Sequence, residues 1–165
     1  MTIMTRYRAY KMTVGRLERS PIHLLHRAVQ CAADIFQGEL ANEDLTPRQY
    51  AVLVAVSQNE GVSQTYLVEK TGVDRSTLAD IVRRMLKKGL LQRRRTKDDA
   101  RAYAVRLTEE GWRVLKAADP LARRVDDKIL AALPGQQRER FLQDLKSIVQ
   151  ALASVEPEND VAEEA

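Results

Sequence analysis

The residues with the clearest chemistry are cations, concentrated in the stretch RRRTKDDARAYAVRLTEEG from Arg93 to Gly111. Between Arg75 and Arg106 the sequence carries eleven Lys or Arg against three Asp, a net charge of +8, although the whole chain is only +4. Cationic side chains gathered in this way bind polyanions and release the counterions of phosphate groups. A solvated surface loop beside a β-strand is the alternative interpretation of the same charges.

Residues that catalysis or metal binding would need are few. The two histidines, His23 and His26, and the single cysteine, Cys31, all lie on the first predicted helix. The sequence contains no glycine-rich phosphate loop, nucleophile elbow or metal-ligand motif. We therefore predict a protein that is not an enzyme, binds no metal and uses no cofactor. Cys31 stands among apolar residues and is predicted to be a buried core thiol.

Length and composition indicate one globular domain with a sizeable core. The 165 residues are 44% apolar and 30% charged, which disfavours a disordered chain. No run approaches the roughly 18 consecutive apolar residues of a membrane-spanning helix. The basic N-terminus lacks the apolar region of a secretory signal, and one cysteine fits a reducing compartment, so a cytoplasmic location is predicted. Residues 1–19 are interpreted as a basic arm and residues 154–165, with five acids and no bases, as an acidic tail.

Capping patterns predict where the first two helices begin. Ser20-Pro21 and Thr46-Pro47 each place a hydroxyl before a proline. The hydroxyl oxygen can accept an unpaired N–H, and proline suits the first helical position. Gly38 is predicted to end the first helix. That helix is apolar on two faces, so it must be covered both by its own core and by a second surface, such as a partner subunit.

Two further capped helices joined by a tight turn predict a helix-turn-helix. Ser63 caps the short helix QTYLVEKT, and Asp74, after the turn TGVD, caps RSTLADIVRRMLKK. Beyond Gly89 the apolar period changes to two, which predicts an antiparallel hairpin, or wing. Its strands are predicted at Leu90–Arg93 and Ala102–Leu107. The fold class is therefore mainly α, a winged helix-turn-helix with a long helix and a final helix at its C-terminal end.

A helix-turn-helix favours double-stranded DNA as the polyanion. The major groove, about 12 Å wide, admits one helix, whose N-terminal residues reach the bases. Arg75, Ser76 and Thr77 stand at that end of the longer helix and are predicted to enter the groove. Asp80 is predicted to pair with one of the arginines three or four residues later. Further candidates for DNA contact, chiefly to the backbone, are Ser63, Arg83, Arg84, Arg93 and Arg94.

Taken together, these features resemble the multiple antibiotic resistance regulator (MarR) family of winged-helix transcription factors, over about residues 20–152. The most specific features are an Asp-x-Arg at the wing, a strand that ends in Leu-Thr, and a glycine one turn into the next helix. In this sequence they are Asp99, Arg101, Leu107, Thr108 and Gly111. The resemblance implies that Arg101 enters the minor groove and that Asp99 holds it in position. A narrow minor groove attracts such an arginine electrostatically.

The resemblance also implies a homodimer whose first and last helices interlock. On this interpretation a single domain spans residues 20–153. Its winged helix-turn-helix lies at about 46–108, and its dimerisation helices at about 20–37 and 109–153. The function implied is a ligand-responsive regulator, a repressor released from a pseudo-palindromic operator by a small anionic aromatic molecule. An aromatic acid or its acyl-coenzyme A thioester would fit that description.

Candidate ligand residues follow from their position in the family's pocket. They are His23, His26, Arg27 and Tyr50. Two alternatives to the ligand-responsive regulator stay open: a constitutive architectural DNA-binding protein, and a redox-sensing regulator that uses Cys31. Trp112, at the join between the wing and the long helix, is predicted to be a core anchor.

Overall fold

The computed structural model describes residues 16–59, 61–95 and 103–154. Within these ranges the chain is mainly helical and carries one two-stranded antiparallel sheet, which confirms the predicted fold class. No helix in these ranges is long and apolar enough to cross a membrane. After a 3-10 turn at Leu17–Arg19, the elements are α1 Pro21–Glu39, α2 Pro47–Ser57, α3 Gln64–Thr71, α4 Arg75–Lys87, β1 Leu91–Arg95, β2 Tyr103–Leu107, α5 Glu109–Ala131 and α6 Gly135–Ala153.

Three predicted caps stand at the helix starts where the sequence places them. Ser20 Oγ accepts the N–H of His23 at 3.4 Å, and Ser63 Oγ accepts that of Tyr66 at 3.1 Å. Thr46 forms a full capping box, because its hydroxyl accepts the N–H of Gln49 while the Gln49 side chain accepts the N–H of Thr46. These bonds satisfy N–H groups that have no partner inside the helix.

The predicted end of α1 at Gly38 is wrong. The helix runs on to Glu39, and Leu40 closes it with an N–H bonded to the Phe36 carbonyl. Gly38 keeps a negative φ, unlike Gly61, Gly72 and Gly89. A glycine ends a helix by adopting the left-handed conformation, and Gly38 does not adopt it.

The chain divides into two compact units, Met1–Val125 and Asp126–Ala165. In the first unit the core lies where α2, α3, α4 and the hairpin meet, and the N-terminal part of α5 adds further buried apolar residues. In the second unit α6 contains no buried residue, and Ile148, Val149 and Leu152 are exposed. The largest fully buried side chains of the first unit are Leu40, Val52, Leu53, Leu67, Leu78, Val82, Met85 and Val105.

Two burial predictions are wrong. Cys31 is exposed, because α1 contributes only Phe36 to the buried core of the single chain. Trp112 is 44% exposed, while its neighbours in the core of α5, Val114 and Leu115, are buried. Both residues have apolar neighbours in the sequence, but helical pattern alone does not say whether the chain itself covers that side of the helix.

Candidate nucleic-acid interface

The turn between α3 and α4 sets the angle of the helix-turn-helix. Gly72 ends α3 in the left-handed conformation, with φ of 66°, and its N–H bonds to the Val68 carbonyl at 2.9 Å. A residue with a Cβ would be strained there. Val73 is then buried, and Asp74 caps α4 at once. The turn is therefore short and fixed at both ends.

Asp74 organises the N-terminal end of α4. Its Oδ1 accepts the backbone N–H of Thr77 at 2.9 Å and the hydroxyl of Ser76 at 2.7 Å. The hydrogen bond from the Thr77 backbone, followed by those from the Thr77 and Ser76 side chains, holds the pKa of the Asp74 carboxyl well below its usual range. The Ser76 hydroxyl proton is thus directed at Asp74, which leaves its oxygen to accept a hydrogen bond from a DNA base or water.

The outer face of α4 is basic and its inner face is apolar. Leu78, Val82 and Met85 are fully buried. The predicted ion pair of Asp80 forms with Arg83, at 2.7 Å between Oδ1 and Nη2, and both side chains remain largely exposed. Thr77 is half-buried, whereas the other predicted DNA contacts of α4 are exposed: Arg75, Ser76, Arg83 and Arg84.

The hairpin register separates two predicted phosphate contacts. Arg93 lies opposite Val105, and Arg94 lies opposite Ala104. Since side chains alternate along a strand, Arg93 and Arg94 project from opposite faces of the wing. Arg94 shares its face with Arg106 rather than with Arg93. The wing tip, which includes Asp99 and Arg101, lies outside the described residues.

The Leu-Thr-x-x-Gly sequence ties the wing and α5 to the end of α4. Thr108 Oγ donates to the Gly89 carbonyl at 2.6 Å and accepts the N–H of Gly111 at 2.9 Å, so one hydroxyl both caps α5 and fastens it to the turn after α4. Gly111 packs directly under the Leu90 carbonyl, where a Cβ would overlap that oxygen. This motif is therefore structural, and it fixes the position of the wing relative to α4.

A further link joins the wing to the helix-turn-helix. Val62, just before α3, pairs with Val105 of β2 through two backbone hydrogen bonds of 2.8 and 3.1 Å. With β1 on the other side, β2 is held along both edges at Val105. The wing thus shares its backbone bonding with the segment that leads into α3.

The four predicted ligand residues lie on two helices. Tyr50 of α2 is half-buried, its hydroxyl donates to Asp119 Oδ1 at 3.0 Å, and its ring lies 6.0 Å from that of Phe36. On α1, His23 is half-buried while His26 and Arg27 are exposed. Within the described ranges no group of three His, Cys, Asp or Glu is placed to hold a metal ion.

Reasoning from the sequence missed one group of residues, on the outer face of the wing. The sequence predicts Arg94 as a DNA contact and Trp112 as a core anchor, and it singles out neither Gln92 nor Arg106. All four of these residues, Gln92, Arg94, Arg106 and Trp112, line one cavity at the outer face of the wing. Leu91 is buried, but Gln92, Arg93 and Arg94 are not, so the sequence of β1 does not show which of its side chains share a face with β2 residues. The strand register places Arg106 on the same face as Gln92 and Arg94.

A capped helix-turn-helix followed by a hairpin tied to its end defines a winged-helix DNA-binding protein. The model of the MarR family matches residues 43–102. The transcriptional regulator HosA of Escherichia coli O111:H- is 35% identical over 135 residues, which cover 82% of this chain and 98% of that relative. The chain therefore belongs to the MarR family. It is a DNA-binding transcriptional regulator and not an enzyme.

Two solved structures show the same fold. BpsR of Bordetella bronchiseptica, whose DNA binding is regulated by 6-hydroxynicotinic acid, is 27% identical with a TM-score of 0.71, over 77% of this chain and 96% of BpsR. The repressor CouR, bound to a 23-mer DNA duplex, is 29% identical with a TM-score of 0.75, over 82% of this chain and 96% of CouR.

Proposed function

We propose that the protein is a homodimeric repressor that binds a pseudo-palindromic operator and is released from it by a small anionic aromatic effector. The observation that carries the DNA-binding part is the exposed, basic N-terminal end of α4, held by the Asp74 cap. Arg75, Ser76 and Thr77 would read the major groove. Backbone contacts would come from Ser63, Arg83, Arg84, Arg93 and Arg94.

At the wing, Arg101 would enter the minor groove, with Asp99 as its positioning partner. Because Arg93 and Arg94 project from opposite faces of the hairpin, only one of them can lie on the side of the wing that faces DNA. Arg93 and Arg94 should therefore contribute unequally to operator affinity.

The exposed apolar side of α1 supports the homodimer. Ile22 and Val29 are 67% and 66% exposed in the single chain. Their burial against a second copy would remove apolar surface from water, the main driving force of association. Two subunits would then present two α4 helices to half-sites about one helical turn apart, roughly 34–36 Å.

DNA binding is tested with a duplex from the region upstream of the gene, against a scrambled duplex of equal length. If each subunit neutralises about four phosphates, log K should fall with log salt at a slope near −7. Arg101→Ala should weaken operator binding at fixed salt, while Arg140→Ala, which removes an exposed charge from α6, should not. A slope near zero, or equal affinity of Arg101→Ala and the unaltered protein, would refute the proposal.

The effector class is supported by cations and rings near α1 and α2. His23, His26 and Arg27 offer donors for a carboxylate, and Tyr50 offers an aromatic ring beside Phe36. The response of BpsR to 6-hydroxynicotinic acid makes that acid the first compound to test. His26→Ala should raise the concentration needed to release DNA, and an unchanged release curve would remove His26 from the effector site.

The exposure of Cys31 keeps a thiol-sensing function as the second candidate. An accessible thiol can be oxidised, whereas the burial predicted from the sequence would have protected it. Hydrogen peroxide should then release the operator from the unaltered protein but not from Cys31→Ser. Equal release of both proteins, or release of neither, would dismiss this candidate.

A further inference from the structure

The turn that follows α4 is tied to the loop between α1 and α2. Lys88 closes α4, and its Nζ donates to Asp44 Oδ2 at 2.7 Å and to the Asp44 carbonyl at 3.2 Å. We propose that Asp44 and Lys88 determine which spacing of operator half-sites the protein accepts, because their contact sets the position of α4 relative to α1. This role rests on the proposed homodimer and its pseudo-palindromic operator, whereas the contact itself belongs to the single chain.

Asp44 holds a backbone conformation that needs support. Its φ of +46° lies in the left-handed region, and it is the only residue other than glycine with a positive φ in the described parts of the chain. A residue with a Cβ adopts this conformation at a cost in free energy, so the surrounding structure must maintain it. The loop is fixed at both ends, because Leu40 and Leu45 are 2% and 3% exposed. In this fixed loop the carbonyl and the carboxylate of Asp44 both reach the Lys88 ammonium group.

Stability alone does not account for the contact between Asp44 and Lys88. The side chains of Lys88 and Asp44 are 40% and 90% exposed, and an ion pair in such a position contributes little to the free energy of unfolding. The contact is instead geometric, since it joins segments 44 residues apart through two acceptor atoms of one residue. A role in positioning α4 therefore explains the contact better than a role in folding.

Helix α4 would carry a displacement of Lys88 to its DNA-binding end. The backbone N–H of Lys88 bonds to a carbonyl of the last helical turn, so Lys88 moves with the helix. The inner face of α4 is closely packed, because Leu78, Val82 and Met85 are fully buried, and a closely packed helix transmits strain along its length. A shift of Lys88 would therefore also move the N-terminal end of α4, which the Asp74 cap holds.

The other end of the loop is held by α5. Glu39, the last residue of α1, pairs with Arg124 of α5 at 3.3 Å, and the Glu39 side chain is only 18% exposed. In the proposed homodimer α1 belongs to the interface, so the segment from Glu39 to Asp44 leads from the interface to the contact with Lys88. Both subunits would place α4 through the same contact, and the two α4 helices would then match one half-site spacing.

Dependence of affinity on half-site spacing tests this role. The probes are the duplex from the region upstream of the gene, with its half-sites located by footprinting, and a copy with one base pair inserted between them. The insertion moves one half-site by about 3.4 Å and roughly a tenth of a turn. The unaltered protein should bind the copy about tenfold more weakly. Lys88→Met keeps an apolar side chain but removes the donors, and it should reduce this ratio of affinities by about threefold or more. A general loss of DNA affinity would weaken binding to both duplexes and leave the ratio unchanged.

The matched control is Lys87→Met. It removes the same charge from the preceding exposed residue and should leave the ratio unchanged. Asp44→Asn tests the acceptor, because asparagine tolerates the left-handed conformation but lacks the charge. It should change the ratio in the same direction as Lys88→Met. In the double variant Asp44→Asn should add nothing, since Lys88→Met has already removed the contact.

The outcomes separate this role from the proposed function. If the unaltered protein binds both duplexes equally, the pseudo-palindromic operator is refuted, and no spacing remains for the pair to set. If the unaltered protein discriminates and Lys88→Met and Asp44→Asn discriminate as strongly, the operator stands and the role of Asp44 and Lys88 is overturned. A smaller ratio in these two variants, but not in Lys87→Met, supports the role.

Discussion

Helices α1 and α4 look alike in sequence and differ in what covers them. Each begins at a capping residue and carries apolar residues at helical spacing. In α4 the apolar residues Leu78, Val82 and Met85 are fully buried by the chain itself, whereas in α1 Ile22 and Val29 are about two-thirds exposed. An amphipathic pattern therefore predicts that a face will be covered, but not by what. The DNA-binding region completes its own core, whereas in the proposed homodimer a second subunit would cover α1.

The largest effect should come from a test that places charge on the exposed side of α1. Ile22→Glu with Val29→Glu should convert the proposed dimer into monomers, because burying two unpaired carboxylates at an interface costs far more than the lost contacts. Light scattering at several concentrations measures the mass. The folded winged-helix region should survive, since neither side chain belongs to its core.

The matched control is Gln30→Glu, which adds a carboxylate to the polar side of the same helix. It should leave the mass unchanged. If the double variant stays dimeric, the exposed side of α1 is not the interface. If it unfolds, α1 is needed by its own chain and the contrast with α4 disappears.

A second test compares two glycines: Gly111, which packs against main chain near the wing, and Gly38 of α1, which has open space beside it. Gly111→Ala should lower the free energy of unfolding by about 1–3 kcal/mol or more, the usual cost of overpacking. The new Cβ would meet the Leu90 carbonyl, which already accepts the N–H of Thr108. Operator affinity should fall as well, because the Thr108 contacts hold the wing against the end of α4.

Gly38→Ala in α1 is the opposite case. A Cβ there meets nothing within 4 Å, and the backbone is regular helix. This variant should raise stability by up to about 1 kcal/mol, the difference between Gly and Ala in a helix interior. Urea unfolding of both variants measures the two changes in the free energy of unfolding, which should have opposite signs. A Gly111→Ala protein as stable as the unaltered one would show that the motif does not fasten the wing.

Local chemistry explains which features the sequence could predict. Each helix cap depends on a residue only three positions away, so the sequence alone can predict it. These caps are Ser20, Thr46, Ser63 and Asp74. The Asp80–Arg83 pair is equally local. The winged helix-turn-helix followed from the order of these short-range signals together with the change of period after Gly89.

Features that depend on distant segments could not be predicted in the same way. The exposure of Cys31 and Trp112 reflects which surfaces the rest of the chain covers. The lining of the cavity at the outer face of the wing depends on the register that places Arg106 opposite Gln92, and on the left-handed turn at Gly61. The period of two in the sequence predicts that each strand has two faces. Only the pairing of the two strands shows that Arg94 and Arg106 share a face.

The smallest expected effect concerns the caps that begin the two helices. Asp74 caps α4 with a titratable carboxyl whose pKa is lowered in the folded protein, while Ser20 caps α1 with a hydroxyl. A lowered folded pKa stabilises the fold above the unfolded value of about 3.9, and that contribution is lost as the pH falls toward the folded pKa. The melting temperature of the unaltered protein should therefore fall more between pH 5 and pH 3 than that of Asp74→Asn. Asparagine keeps the cap but does not titrate.

Ser20→Asn supplies the matched change in α1, because it exchanges one neutral cap for another. It should leave the pH dependence of the unaltered protein intact. If Asp74→Asn loses as much stability between pH 5 and pH 3 as the unaltered protein does, other carboxylates cause the acid sensitivity. The charged cap of α4 would then differ from the neutral cap of α1 in chemistry alone, and not in its contribution to folding.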